Sequence, residues 1–343
     1  MLLSVHNLTV GFAVEGELFR AVDGVSFALE QGKSFCLVGE SGCGKSVTAL
    51  SVPGLLPVPP ARILGGQVMF EGKDLLSLPE KDLNRLRGAR IGMVFQEPMT
   101  SLNPVFTVGE QVAEPLRLHM GLGRTEARRR AVELLRDVGI AEAGQRASDY
   151  PHQLSGGMRQ RVMIAMAVAC NPALLIADEP TTALDVGIQG QILSLLRELR
   201  QNSGSSLLMI THNLEVVRAS AEYMAVMYAG RIVEMGPVDE VLKAPAHPYT
   251  AGLMASRPPA HAGAAGVLSG RAARLKAIPG TVPSIFETPP GCAFSVRCPE
   301  VFERCRREMP ELAPLDQRRS DARAVLAGHA RSCRCLLHQF PLG

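Results

Sequence analysis

Gly39-Glu40-Ser41-Gly42-Cys43-Gly44-Lys45-Ser46 fits the phosphate-binding pattern G-x-x-x-x-G-K-[ST]. The apolar run before it, residues 34–38, reads as a buried strand, and residues 47–50 read as the start of a helix. Glycines at 39, 42 and 44 let successive N–H groups curl inward, forming an anion nest at a helix N-terminus. Lys45 then reaches the β- and γ-phosphates, and the Ser46 hydroxyl ligates Mg²⁺. A Gly-rich turn beside an ordinary surface lysine would not need the strand before it and the helix after it. The stretch predicts a nucleoside triphosphate site.

Leu174-Leu175-Ile176-Ala177-Asp178-Glu179-Pro180 is an apolar run ending in two carboxylates, which reads as a central parallel strand. Asp178 at its end is placed to hold Mg²⁺ directly or through water. Glu179, one residue on, faces the γ-phosphate and polarises the attacking water as general base. Upstream, Leu154-Ser155-Gly156-Gly157-Met158-Arg159-Gln160-Arg161 opens a helical segment over residues 159–170. Its bare N–H groups and hydroxyl make a second place where a phosphate can be met.

An L-S-G-G-x-x-Q-R element ahead of a D-E-P element resembles the signature of ATP-binding cassette (ABC) ATPases. The resemblance assigns further residues that, taken singly, would be strand-end caps or surface groups. Gln96, after the apolar run 91–95, resembles the Q-loop glutamine that meets Mg²⁺ and the attacking water. Ala183-Leu184-Asp185 resembles the D-loop, and His212 the switch histidine that contacts the γ-phosphate. Phe12, just past the first strand, is the candidate to stack on adenine, a core Phe being the alternative. In this family the signature of one subunit faces the P-loop of another. Ser155, Gly156, Gly157 and Gln160 would therefore serve a partner's ATP. The chain holds one copy of each motif, so it is expected to need a second cassette.

Length and composition agree. With 343 residues, 46% of them hydrophobic, the chain can build one large α/β unit plus an appendage. Its longest uncharged apolar stretch, residues 162–177, is interrupted by Asn171-Pro172 and is too short for a membrane span. The start has no basic n-region and runs into a strand-like segment, so no signal peptide is expected, and the protein is expected in the cytoplasm. A net charge of +3 is too small to argue for nucleic-acid binding.

Strand-like runs at residues 2–10, 25–29, 34–38, 67–70 and 91–95 precede a region, about 100–170, of helical pattern, clearest at 107–119 and 125–138. Helical and strand segments then alternate to residue 241. This resembles the cassette architecture: a RecA-like α/β core, an antiparallel β subdomain and a helical subdomain ending at the signature. The helical insert is expected to meet the membrane partner. Glu97-Pro98-Met99-Thr100-Ser101-Leu102-Asn103-Pro104 sits at its hinge and resembles the form this loop takes in peptide importers.

The cassette reads as residues 1–245, and a small Cys-rich domain as 246–343. Ala, Gly and Pro become dense after 245, and residues 251–343 carry 13 Lys+Arg against 7 Asp+Glu. Five of the eight cysteines lie there, as C-x5-C-x6-C-x27-C-x-C. That spacing matches no standard zinc pattern and leaves metal binding and free thiols both open. Ala246-His247-Pro248-Tyr249-Thr250, residues 275–283 (L-K-A-I-P-G-T-V-P) and Gly291-Cys292-Ala293-Phe294-Ser295-Val296-Arg297-Cys298 look like the C-terminal domain of oligopeptide/dipeptide permease ATPases, the D-type subunit above all. In that subfamily four cysteines can hold a [4Fe–4S] cluster. Cys292, Cys298, Cys305 and Cys333 match, with Cys335 a competitor for the fourth place.

The resemblance implies an ATPase bound to the cytoplasmic face of the membrane. Its implied partners are a second, homologous cassette (a heterodimer), two permease subunits and an extracytoplasmic peptide-binding protein. Nickel chelates or glutathione are substrates of related ATPases. A soluble ABC ATPase acting on DNA or ribosomes, or a redox protein that kept a cassette, are the readings from other classes.

Overall fold

The computed structural model describes residues 1–182, 184–256, 277–283, 289–315 and 325–339. Among the described residues the strands are β1 Leu3–Val14, β2 Glu17–Leu29, β3 Ser34–Val38, β4 Ala61–Phe70, β5 Lys73–Asp74, β6 Ile91–Val94, β7 Leu174–Asp178, β8 Ser206–Thr211, β9 Tyr223–Tyr228, β10 Arg231–Pro237, β11 Ala313–Pro314 and β12 Ser332–Cys333. The helices of the first 255 residues are α1 Lys45–Ser51, α2 Glu80–Leu86, α3 Pro98–Ser101, α4 Val108–Met120, α5 Arg124–Asp137, α6 Ala143–Arg146, α7 Gly156–Val168, α8 Val186–Ser203, α9 Leu214–Ser220, α10 Val238–Lys243 and α11 Pro248–Ala255.

Two sheets result. One is antiparallel, in the order β2-β1-β4-β5. The other runs β11-β12-β10-β9-β3-β8-β7-β6, and its five strands from β9 to β6 are parallel. β3, β7 and β8 are buried along their whole length, as strands covered on both faces must be. Their side chains divide by the two-residue period. Phe35, Leu37, Leu174, Ile176, Leu208 and Ile210 enter the core shared with the antiparallel sheet. Cys36, Val38, Leu175, Ala177, Leu207 and Met209 enter the core shared with the helices. The parallel strands are thus packed on both faces, and the phosphate loop leaves β3, between β9 and β8.

Helices α3 to α7 form the insert between β6 and β7, over the stretch where the helical pattern was expected. Thr107 caps α4 by accepting from the Glu110 amide, and Glu110 reaches back to the Thr107 amide, the capping box that T-x-x-E encodes. The uncharged stretch 162–177 divides into α7 and β7 around Asn171, whose φ of 49° turns the chain. No described helix is long and apolar enough to cross a membrane.

After residue 245 the described segments stay against the cassette. β11 and β12 extend the edge of the large sheet beyond β10. Buried Glu234 on β10 accepts from the Ala246 and His247 amides at 2.9 Å each and from Arg331 Nη2 at 2.9 Å. One carboxylate therefore ties both ends of the extension to the core sheet.

Candidate nucleotide site

The phosphate loop turns between β3 and α1, and two of its glycines are required by contact. A Cβ at Gly39 would lie 2.3 Å from Met227 O, and one at Gly44, where φ is 100°, would lie 2.6 Å from Ala21 O. Lys45 is buried, and its Nζ donates to the carbonyls of Gly39 and Glu40 at 2.9 Å each. The carbonyls of Gly39 and Glu40 are thus drawn to Lys45, which folds the loop of residues 39–46 around its ammonium.

Ser46 Oγ donates to Asp178 Oδ1 at 3.0 Å, bringing the end of β7 against the loop. Burial pushes the Asp178 carboxyl above its usual range, and the neighbouring Glu179 adds to the rise. A hydroxyl and a buried carboxylate so placed are the hard oxygen donors that Mg²⁺ takes, so the residues fit that ion. Glu179 has φ of 45°, a conformation disfavoured for a residue with a Cβ and found where a site needs it. Its Oε2 accepts from Thr182 Oγ1 at 2.8 Å and Gln96 Nε2 at 3.4 Å, and lies 3.2 Å from His212 Nδ1. The three side chains named from sequence for hydrolysis, Gln96, Glu179 and His212, thus meet at one oxygen. Thr182, three residues after the glutamate, was not singled out and is its closest partner.

Ser155 caps α7 by accepting from the Met158 amide at 3.4 Å. Ser155 and Gly156 are exposed and Gly157 half-buried, whereas Gln160 is buried at 2% exposure and its amide nitrogen has no hydrogen-bond partner. Gln160 therefore lies inside the chain rather than on a face open to a partner. Asp185 is exposed at the start of α8, and Ala183 lies outside the described residues. Phe12 is half-buried on β1 and packs against the core beneath the antiparallel sheet.

In the extension, Cys292, Cys298, Cys305 and Cys335 line one small cavity with His247 and Phe294. The fourth thiol lining the cavity is Cys335, the competitor for that place, rather than Cys333. Cys333 is buried on β12 opposite Glu234; the strand then ends, and Cys335 sits where the chain turns into the helix Leu336–Gln339. Burial pushes the Cys298 thiol up to about 12, and charge on Cys292, Cys335 and Cys305 adds to it. The donor set suits a thiolate-bound group in kind. Among the described residues, however, no three Cys, His, Asp or Glu side chains converge so as to hold a metal ion. Of the tail motif at 275–283, residues 275 and 276 lie outside the described residues.

Residues 22–182 match the ABC transporter family, and residues 233–305 match the oligopeptide/dipeptide transporter C-terminal region. The chain is 50% identical to the oligopeptide transport ATP-binding protein AppD of Bacillus subtilis, over 91% of this chain and 92% of that one. It is 48% identical to a probable peptide ABC transporter ATP-binding protein of Sinorhizobium fredii, over 97% and 94% of the two chains. It is 47% identical to the dipeptide transport ATP-binding protein DppD of Escherichia coli, over 91% and 92%. Among solved structures, the dimeric post-hydrolysis state of the ATP-binding cassette MJ0796 bound to ADP and Pi is 30% identical. It superposes with a TM-score of 0.62 over 69% of this chain and 99% of that one.

Proposed function

The chain belongs to the ABC transporter ATP-binding family, in the branch that carries the oligopeptide/dipeptide transporter C-terminal region, and from that we propose that it hydrolyses ATP to drive uptake of di- and oligopeptides. The observation that carries the reading is the meeting of Gln96, Glu179, Thr182 and His212 beside the loop formed by residues 39–46. Lys45 and the loop amides bind the phosphates, and Ser46, Gln96 and Asp178 would hold Mg²⁺, which neutralises phosphate charge. Glu179 takes a proton from the attacking water, with its carboxylate oriented by Thr182 and Gln96. His212 senses the γ-phosphate. Phe12 stacks on adenine.

The chain works as one of two cassettes, paired with a homologous subunit whose ATP meets Ser155, Gly156 and Gly157, with Asp185 at the same interface. ATP stabilises the closed pair, and hydrolysis with product release reopens it. Met99, Val105 and Phe106, between 51% and 71% exposed beside the Gln96 loop, are the surface for the two permease subunits on the cytoplasmic face of the membrane. An extracytoplasmic binding protein delivers the peptide. Deleting this chain in its host should abolish uptake of labelled tripeptides. Loss of nickel-chelate or glutathione uptake with peptide uptake intact would reassign the substrate.

For the Cys-rich extension the reading is a [4Fe–4S] cluster on Cys292, Cys298, Cys305 and Cys335, which line one small cavity and would have to draw closer together to hold it. Such a cluster would organise a segment poor in aliphatic residues. Anaerobically purified protein should carry about four iron per chain, lose it in Cys335→Ser and keep it in Cys333→Ser. Stoichiometric zinc, or no metal, would overturn this part alone.

A further inference from the structure

The phosphate loop is held from outside the cassette. Arg297, one residue before Cys298, forks onto the Glu40 carboxylate: Nη1 donates to Oε2 at 2.8 Å and Nη2 to Oε1 at 3.2 Å. The arginine side chain is 5% exposed and the glutamate 28%, so the pair is largely shielded and bidentate, the strong form of such a contact. Arg297 is itself fixed. Its Nε donates to Pro279 O at 2.9 Å, and its guanidinium carbon lies 5.8 Å from the centre of the Tyr228 ring at the end of β9. The Glu40 amide donates to Tyr249 Oη at 2.9 Å. Phe294, in the same Cys-rich segment as Arg297, packs its ring 5.2 Å from Tyr228 and 5.4 Å from Tyr249. The Glu40 carbonyl in turn accepts from Lys45 Nζ. A continuous chain of contacts therefore runs from residues 292–298 through Arg297 and Glu40 to the lysine that binds phosphate.

Glu40 is a variable position of the loop pattern, so nothing in nucleotide binding itself demands a carboxylate there. Tyr228 and the Pro279 carbonyl also hold the guanidinium, and Glu40 is the carboxylate that pairs its charge. We propose that Arg297 is a positioning residue for the nucleotide site, through which the Cys-rich extension sets the affinity for ATP. With the fork in place, Glu40 and its carbonyl are pre-organised and the nest is ready for phosphate. When residues 292–298 loosen, the loop must be ordered by the nucleotide itself, and affinity falls.

The inference rests on residues 39–46 being the nucleotide site. The test uses the full chain, with MgATP affinity by equilibrium dialysis and KM and kcat for ATP in the assembled transporter. Arg297→Met should raise Kd and KM about tenfold, one charge-assisted bond's worth, with kcat falling much less. Glu40→Gln should do the same, and the double variant should be no worse than either single one. Arg307→Ala, whose partner Glu303 sits on its own short helix, should change neither constant. If Arg297→Met does not fold, Arg297→Lys, which keeps the charge and loses the fork, should give a smaller rise in KM. A lowered melting temperature with unchanged Kd and KM, or additive effects in the double variant, would overturn the proposal. Lys45→Ala separates the two claims. If it binds MgATP like wild type, the site assignment fails. If it loses binding while Arg297→Met does not, only the positioning role fails.

Discussion

Glu179→Gln removes the proposed base while keeping nearly the same shape, and the geometry says what should survive. Oε2 of Glu179 accepts from Thr182 at 2.8 Å and Gln96 at 3.4 Å, with His212 Nδ1 at 3.2 Å. A glutamine carbonyl can occupy that position and accept from the same donors, so the side chain should stay in place. Each contact changes from charge-assisted to neutral, at roughly half the strength. That loss should lower stability by about 1–2 kcal/mol. What the amide cannot do is take a proton from water. General-base catalysis is worth about 10²–10⁴-fold, so kcat should fall by that factor, about 3–5 kcal/mol in the barrier. KM should change little, because Lys45, Ser46 and the loop amides are untouched. The assay is phosphate release from MgATP by the assembled complex, with nucleotide binding measured in parallel. With ATP and Mg²⁺ the variant should also accumulate as a stable closed pair. A kcat within threefold of wild type would show that Glu179 is not the base, whatever its position.

Three further outcomes follow from the geometry. Lys45→Ala should abolish ATP turnover; because Nζ also holds two loop carbonyls at 2.9 Å, it should lower stability without nucleotide by about 1–3 kcal/mol, read as a melting temperature a few degrees lower. Arg331→Met leaves Glu234 buried with only two amide donors; it should be destabilised by about 3–5 kcal/mol in urea, and adding Glu234→Gln should restore much of that. Buried His247 has its pKa pushed down to about 3, by burial first and then by His338 and Arg334. The unfolded chain therefore binds a proton that the folded chain does not, and stability should fall as pH drops from about 6.5 toward 3. Urea midpoints across that window should show the slope in wild type and a shallower one in His247→Gln.

The candidate nucleotide site was legible because its chemistry is written in short contiguous runs. Residues 39–46, 154–161 and 174–180 each carry their own strand or helix boundary. Once these were placed, Gln96 and His212 could be located by order along the chain. The hidden parts are those made by distant segments. Arg297 and Glu40 are 257 residues apart, and nothing local to either announces the fork. β11 and β12 are two residues each and exist only because β10 offers an edge. Cys333 and Cys335 differ by one intervening residue, and what separates them is where the last strand stops. The first hairpin turns at Glu15-Gly16, with φ of 51° and 89°, a two-residue turn signal. Reading it would have extended the first strand to Val14 and started the second at Glu17.

The central claim is that ATP hydrolysis at this site is coupled to movement of peptide. It is tested most directly in proteoliposomes holding the whole transporter, with the binding protein and a labelled tripeptide on one side and MgATP on the side of this chain. Peptide should accumulate against its gradient with ATP, stop with Glu179→Gln and stop with Lys45→Ala. Accumulation that continues in both variants would contradict the claim.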